Sequence, residues 1–291
     1  MNPQAADRVT PILVQRIKVV FRRLPKALAG GEEDLHQLRV AGRRLRVALP
    51  LLARRPAGRR VRRSLRLLRR LTRTGGISRD LDVGVALFEQ ALARGEMTPE
   101  RVVLRRRLKG ARTRARAGMA EALLDLEIAR LRRDLRVVLS RQGDGFFAVL
   151  RRMREMRDEQ GAEALAIISA LGERFDPVEL HRLRRRIRRL RYAAELSGAL
   201  KGQAAPAAVE FRALQDQLGV LHDTYVLSAW LARQAAVALA RGQAALGAEA
   251  AAQRDAFLEA SHGCHQAFLA AGPADAVAHA LAAMGQSRPA A

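Results

Sequence analysis

Leu35-His36-Gln37-Leu38-Arg39, followed by Arg43-Arg44-Leu45-Arg46, returns 145 residues later as Leu180-His181-Arg182-Leu183-Arg184 followed by Arg188-Arg189-Leu190-Arg191. A second echo lies downstream, where Leu71, Gly76, Arg79-Asp80 and Val83 correspond to Leu214, Gly219, His222-Asp223 and Val226 at an offset of 143. Arg is so common here that any single Arg match carries little. His, Leu and four Arg in one order are a different matter. The chain reads as a tandem duplication.

Working outward, Leu recurs at spacings of three and four throughout, and runs of Val, Ile and aromatics with period two are absent. That pattern predicts helices and no sheet. Breakers punctuate it at Gly30-Gly31, Pro56 with Gly58, Gly75-Gly76, Gly95 with Pro99, Gln142 to Gly145, Asp176-Pro177, Gly202 with Pro206, Gly219, Gly242 and Gly272-Pro273. Roughly ten helices follow. In the first half an amphipathic segment precedes helices near 34–54, 59–73, 79–94 and 99–139. In the second half the matching helices fall near 177–199, 206–218, 223–241 and 247–271. Short connections favour antiparallel neighbours. The expected fold is therefore all-α: two tandem antiparallel four-helix bundles related by approximate two-fold symmetry. One domain spans 1–291, with repeats over 1–142 and 146–285.

Composition bounds the function. Among 291 residues, Lys+Arg number 53 against 29 Asp+Glu, a formal charge of +24, and a hydrophobic content of 49% is enough for a real core. Only four of the basic residues are Lys, leaving 49 Arg, whose planar guanidinium grips phosphate bidentately where an ammonium acts as a point charge. Residues 202–291 hold five Arg and seven acids, a net of −2, so residues 1–201 carry +26. An acidic partner is expected, on the first two thirds of the chain. The single Cys264 asks for no oxidising compartment, and the first twenty residues are too charged for a signal segment. No stretch matches the roughly 20 apolar residues of a membrane span. A cytoplasmic address is the expectation.

At about 100° per residue, Leu35, Leu38, Leu45, Leu49 and Leu52 share one stripe, and His36, Arg39, Arg43 and Arg46 share another beside it. The copy sets Leu180, Leu183, Ile187 and Leu190 inward, with His181, Arg184, Arg188 and Arg191 alongside. Glu at i+4 would relieve the repulsion along such a rail, and none interleaves His36 to Arg46 or His181 to Arg191. Such an arrangement suits a polymer of phosphates, which would relieve the repulsion and release counterions. A solvated face whose Arg stems cover apolar surface is the alternative.

The motif His36-x-x-Arg39-x-x-x-Arg43-Arg44-x-Arg46, its copy from His181, and Arg79-Asp80-Leu81-Asp82 together resemble the CHAD family, the conserved histidine α-helical domain. The similarity spans nearly the whole chain. It implies two four-helix bundles around a basic channel, non-catalytic binding of inorganic polyphosphate, and association with polyphosphate granules. Carried over by position, the implied binding residues are His36, Arg39, Arg43, Arg44 and Arg46 with His181, Arg184, Arg188, Arg189 and Arg191. Arg44 and Arg189 sit off the stripe. Three departures from the family pattern stand out: Pro50, which is expected to interrupt the first motif helix, His222 and Thr224; the Glu-x-Glu-x-Lys run of a triphosphate-tunnel domain is missing.

No cofactor and no metal are expected. The two motif histidines lack a second ligand on their own faces, and His262-Gly263-Cys264-His265 matches no standard zinc spacing. Asp80 and Asp223 read either as first-turn acids or as groups that orient a rail arginine. Arg105, Arg106, Arg107, Arg112, Arg114 and Arg116 form a dense run that the sequence does not sort. A backbone-reading nucleic-acid binder is the runner-up, weakened by an aromatic content of 4%. A polyphosphate-cleaving enzyme would need a phosphate loop or clustered carboxylates on the rails, and a bland interaction scaffold is the remaining class.

Overall fold

In the computed structural model, which describes residues 7–29, 31–142 and 145–286, eleven helices and no strand are found among the described residues. The first half runs α1 (Val9–Leu28), α2 (Glu32–Leu52), α3 (Arg59–Thr74), α4 (Gly76–Leu92), α5 (Pro99–Leu124) and α6 (Ile128–Ser140). The second runs α7 (Phe146–Leu171), α8 (Pro177–Lys201), α9 (Pro206–Ala240), α10 (Ala244–Ala270) and α11 (Pro273–Gln286). The orders correspond if α9 answers α3 and α4 together.

Local chemistry explains the boundaries. Asp176 caps α8 by accepting from the N–H groups of Val178 and Glu179, Pro177 opens its first turn, and Gly202 closes it in the left-handed conformation. Thr98 and Pro99 start α5 in the same way. The all-α expectation holds, with three local corrections. Pro50 does not interrupt α2, which continues to Leu52, because a proline this near the end removes only one helical bond. The single helix expected over 99–139 is broken at 125–127, where Leu126 turns into the core. The break expected at Gly219 is absent. Phe211, Leu214, Leu218 and Leu221 continue one buried stripe through it, and burying them outweighs the roughly 1 kcal/mol that a mid-helix glycine costs.

Three apolar clusters result. The first is enclosed mainly by α1, α2, α3 and α6, around Leu13, Leu38, Leu45, Leu68 and Leu131. The second lies among α7, α8, the start of α9 and α11, around Leu183, Ile187, Phe211 and Val277. The third joins the halves, with Phe88 of α4 and Leu104 of α5 against Leu231 of α9 and Phe257 of α10. Both motif helices bury their predicted Leu stripes, and α2 packs directly on α8. That contact positions the cationic stripes. No single helix among the described residues is long and apolar enough to cross a membrane.

Candidate functional site

The two rails converge. Arg43 of α2 lies within electrostatic reach of Arg184 and Arg188 of α8, and His181 is close enough to Arg43 to be disfavoured as a cation by it. Burial, opposed by Tyr192 and Asp80 and reinforced by Arg184, holds the Arg43 guanidinium below its ordinary value. Arg188 is pushed down to about 9, first by burial and then by Arg43. A guanidinium keeps its proton in a folded protein, so both are cations. The result is a desolvated group of like charges drawn from both halves.

Asp80 of α4 and Asp223 of α9 stand among these cations. Burial raises the carboxyl of Asp80, while Arg39, Arg184, Arg43 and Arg79 pull it back. Burial likewise raises Asp223, which feels Arg184 and the like charge of Asp80. Asp223 lies in the middle of α9, so the first-turn reading made from sequence does not hold for it, and Asp80 is the fifth residue of α4.

The remaining rail residues are partly committed to the protein itself. Arg39 is 5% exposed and donates to the carbonyl oxygen of Gly75, at the junction of α3 and α4. Burial, then Arg43, holds it down at about 10. Arg46 donates to Thr72 Oγ1 at 3.0 Å and faces like charges from Arg69, Arg189 and Arg185. Arg44 pairs with Glu195 at 2.9 Å, and Arg191 reaches the same carboxylate at 3.2 Å. The Tyr192 ring lies 5.6 Å from the Arg44 guanidinium and 5.4 Å from that of Arg191. Arg189 donates to Gln160 of α7 at 3.2 Å. An acid therefore does serve the rail, one turn beyond the quoted motif.

Both motif histidines are held below the ordinary imidazole value. For His36 the causes are burial and Arg79, opposed by Glu33; for His181 they are burial, Arg184 and Arg188. His181 Nδ1 lies 3.4 Å from His222 Nδ1, and His222, buried beside Arg184, is pushed down to about 3. His222, Arg16, Arg69, Arg79, Arg185 and Glu195 all join the cluster without having been singled out from sequence as binding groups. Their shared neighbourhood depends on how α1, α3 and α4 meet α8, which no local spacing encodes.

Elsewhere, His262 and His265 pack on Phe175, with ring centroids 4.1 and 5.6 Å away. No group of three or more metal-ligating side chains occurs among the described residues. In the Arg run of α5, Arg105 pairs with Glu89 and Arg116 with Asp82, while Arg107 donates to Gln243.

The family model described as the CHAD domain matches residues 12–232. Among solved structures, the crystal structure of the CHAD domain from the plant Ricinus communis is similar, at 23% identity and a TM-score of 0.58, covering 97% of this chain and 92% of the other. At that identity the likeness concerns the fold. No curated protein sequence matches the chain.

Proposed function

Because the chain belongs to the CHAD domain family, we propose that it binds inorganic polyphosphate, without catalysis, along the junction of α2 and α8. The observation that carries this reading is the approach of Arg43 to Arg184 and Arg188 across the duplicated halves. Bringing desolvated like charges together costs stability, and a chain of phosphates inserted among them reverses the sign of that term. His36 and His181 stand at the N-terminal ends of the two rails, where each imidazole is suited to donate to a phosphate oxygen. Affinity is then a sum over many charge-assisted contacts, each about 1.5–3 kcal/mol before ordering costs. Long chains outcompete short ones, and association with polyphosphate granules follows from the same avidity.

The test is competition among polyphosphate, RNA and DNA, offered at equal phosphate concentration near physiological salt, with Arg43→Glu/Arg184→Glu as the control variant. The expected result is preference for polyphosphate, a steep fall of log affinity with log salt, and at least a hundredfold loss in the variant with its helical circular dichroism retained. Preference for RNA or DNA would establish the runner-up instead. Phosphate released from polyphosphate in the presence of magnesium would make the protein an enzyme.

A further inference from the structure

A groove of about 310 Å³ opens between α5 and α9, with no rail residue in its lining, which is formed by Arg107, Ala111, Arg114, Trp230, Gln234, Val237 and Arg241. Helical spacing builds it. Arg107, Ala111 and Arg114 lie on one face of α5, as do Trp230, Gln234 and Val237 on α9, with Arg241 at its C-terminal cap. Ala111, small between two arginines, leaves the space open.

The lining is chemically specific. It holds three guanidinium groups and no carboxylate, and none of the three is in an ion pair within the described residues. Arg107 donates from Nη2 to Gln243, yet its buried Nη1 finds no acceptor among the described residues. An unpaired buried guanidinium nitrogen is costly, and an anionic oxygen would satisfy it. Beside this charged rim the wall is apolar. Val237 is exposed, Ala111 is half-buried, and the largely buried Trp230 lines the space. The combination of an apolar wall, one amide at Gln234 and three cations matches a ligand with a flat body and a multiply charged tail.

The geometry points to a second site that binds a small organic oligophosphate of the nucleoside-triphosphate type, with its phosphates on Arg107, Arg114 and Arg241 and its base and sugar on Trp230, Val237 and Ala111. This site is separate from the polyphosphate rails and stands whether or not they bind polyphosphate. Its size excludes a long polymer from its interior.

Trp230 is the only Trp in the chain, so its emission reports on this groove. Titrating the full chain with ATP is expected to give a saturable change in Trp230 fluorescence. Tripolyphosphate should bind at least fivefold more weakly, because it lacks the apolar part. Arg114→Glu/Arg241→Glu, both at exposed positions, should weaken ATP binding at least tenfold by calorimetry while leaving polyphosphate binding intact. Arg43→Glu/Arg184→Glu should leave the ATP response unchanged. Loss of that response in the rail variant but not in the groove variant would overturn the site, as would the absence of any heat or emission change. Equal affinities for ATP and tripolyphosphate would overturn the nucleoside part of the assignment.

Discussion

The two copies of the motif helix share a sequence and differ in what their leading arginine does. In the first half the chain breaks between α3 and α4, and Arg39 is drawn in to donate to the Gly75 carbonyl at that junction. In the second half α9 passes straight through the equivalent place as one continuous helix, and Arg184 instead lies over Gly219 with its buried Nε unpartnered among the described residues. The two copies thus place one leading arginine in a hydrogen bond to the backbone and leave the Nε of the other without an acceptor among the described residues. A second difference runs in parallel: residues 54–74 hold ten Arg and no acid, whereas the equivalent 197–217 hold two basic and two acidic residues. The halves are copies in topology and unequal in charge.

Replacing each of the two arginines tests that division most directly. Arg39→Ala removes a buried donor and opens a space between α2 and α3; it is expected to cost about 2–4 kcal/mol of stability, read by chemical denaturation. Arg184→Ala should leave stability within about 1 kcal/mol and weaken polyphosphate binding about tenfold or more. Equal stability losses at the two positions would erase the distinction. The glycines beneath them offer a smaller version of the same comparison. A Cβ on Gly75 would lie 2.8 Å from Cδ of Arg39, while one on Gly219 would rest 3.5 Å from Nη2 of Arg184. Gly75→Ala should therefore destabilise by about 1–3 kcal/mol through overpacking. Gly219→Ala should be neutral or stabilise by up to about 1 kcal/mol, since it adds a helix former to a helix interior.

What the sequence made legible and what it did not follows from these contacts. The Leu stripes of α2 and α8 were legible because burial imposes a period, and Leu38, Leu45, Leu183 and Leu190 are all fully buried where the period put them. The rails were legible as stripes for the same reason. What Arg39, Arg44 and Arg191 do was not, because their partners Gly75, Glu195 and Gln215 belong to the tertiary meeting of helices. The continuity of α9 was missed because a single glycine carries the same local signal in a turn and in a helix interior. Only the apolar stripe running through Gly219 distinguishes the two. The third core was invisible for a related reason, since Phe88 and Leu231 lie far apart in the chain and meet only once the halves dock.

The carboxylates sharpen the comparison further. Asp80 in the first half and Asp223 in the second offset part of the same positive field. Asp80→Asn with Asp223→Asn should strengthen polyphosphate binding about three- to tenfold, because each removes a partly screened repulsion of about 1 kcal/mol or less toward the ligand. Burial raises both carboxyls in the folded state, so each favours the fold when protonated, and that contribution is lost as pH rises through the raised value. The double Asn variant should accordingly show a flatter dependence of stability on pH over the carboxylate range. An unchanged affinity would mean that these acids face away from the ligand.

The smallest expected effect concerns the two histidines. His36 has Glu33 nearby to favour its charge, whereas His181 meets only disfavouring neighbours in Arg184, Arg188, Arg185 and Arg43. Both sit below the ordinary value of about 6.5, so neither carries charge at neutral pH in the free protein. As pH falls below the unfolded value, the unfolded chain takes up protons that the folded imidazoles refuse, so the free protein loses stability on acidification. His222, down at about 3, extends that loss furthest. Bound phosphate inverts the sign, because an anion beside each ring raises its value and protons are taken up on binding. Affinity should then rise as pH drops through the raised value and level off below the free one. Imidazole resonances of His36 and His181, followed by NMR, should titrate below the ordinary value in the free protein and move upward on adding polyphosphate. No upward movement would place the phosphates away from the rail ends.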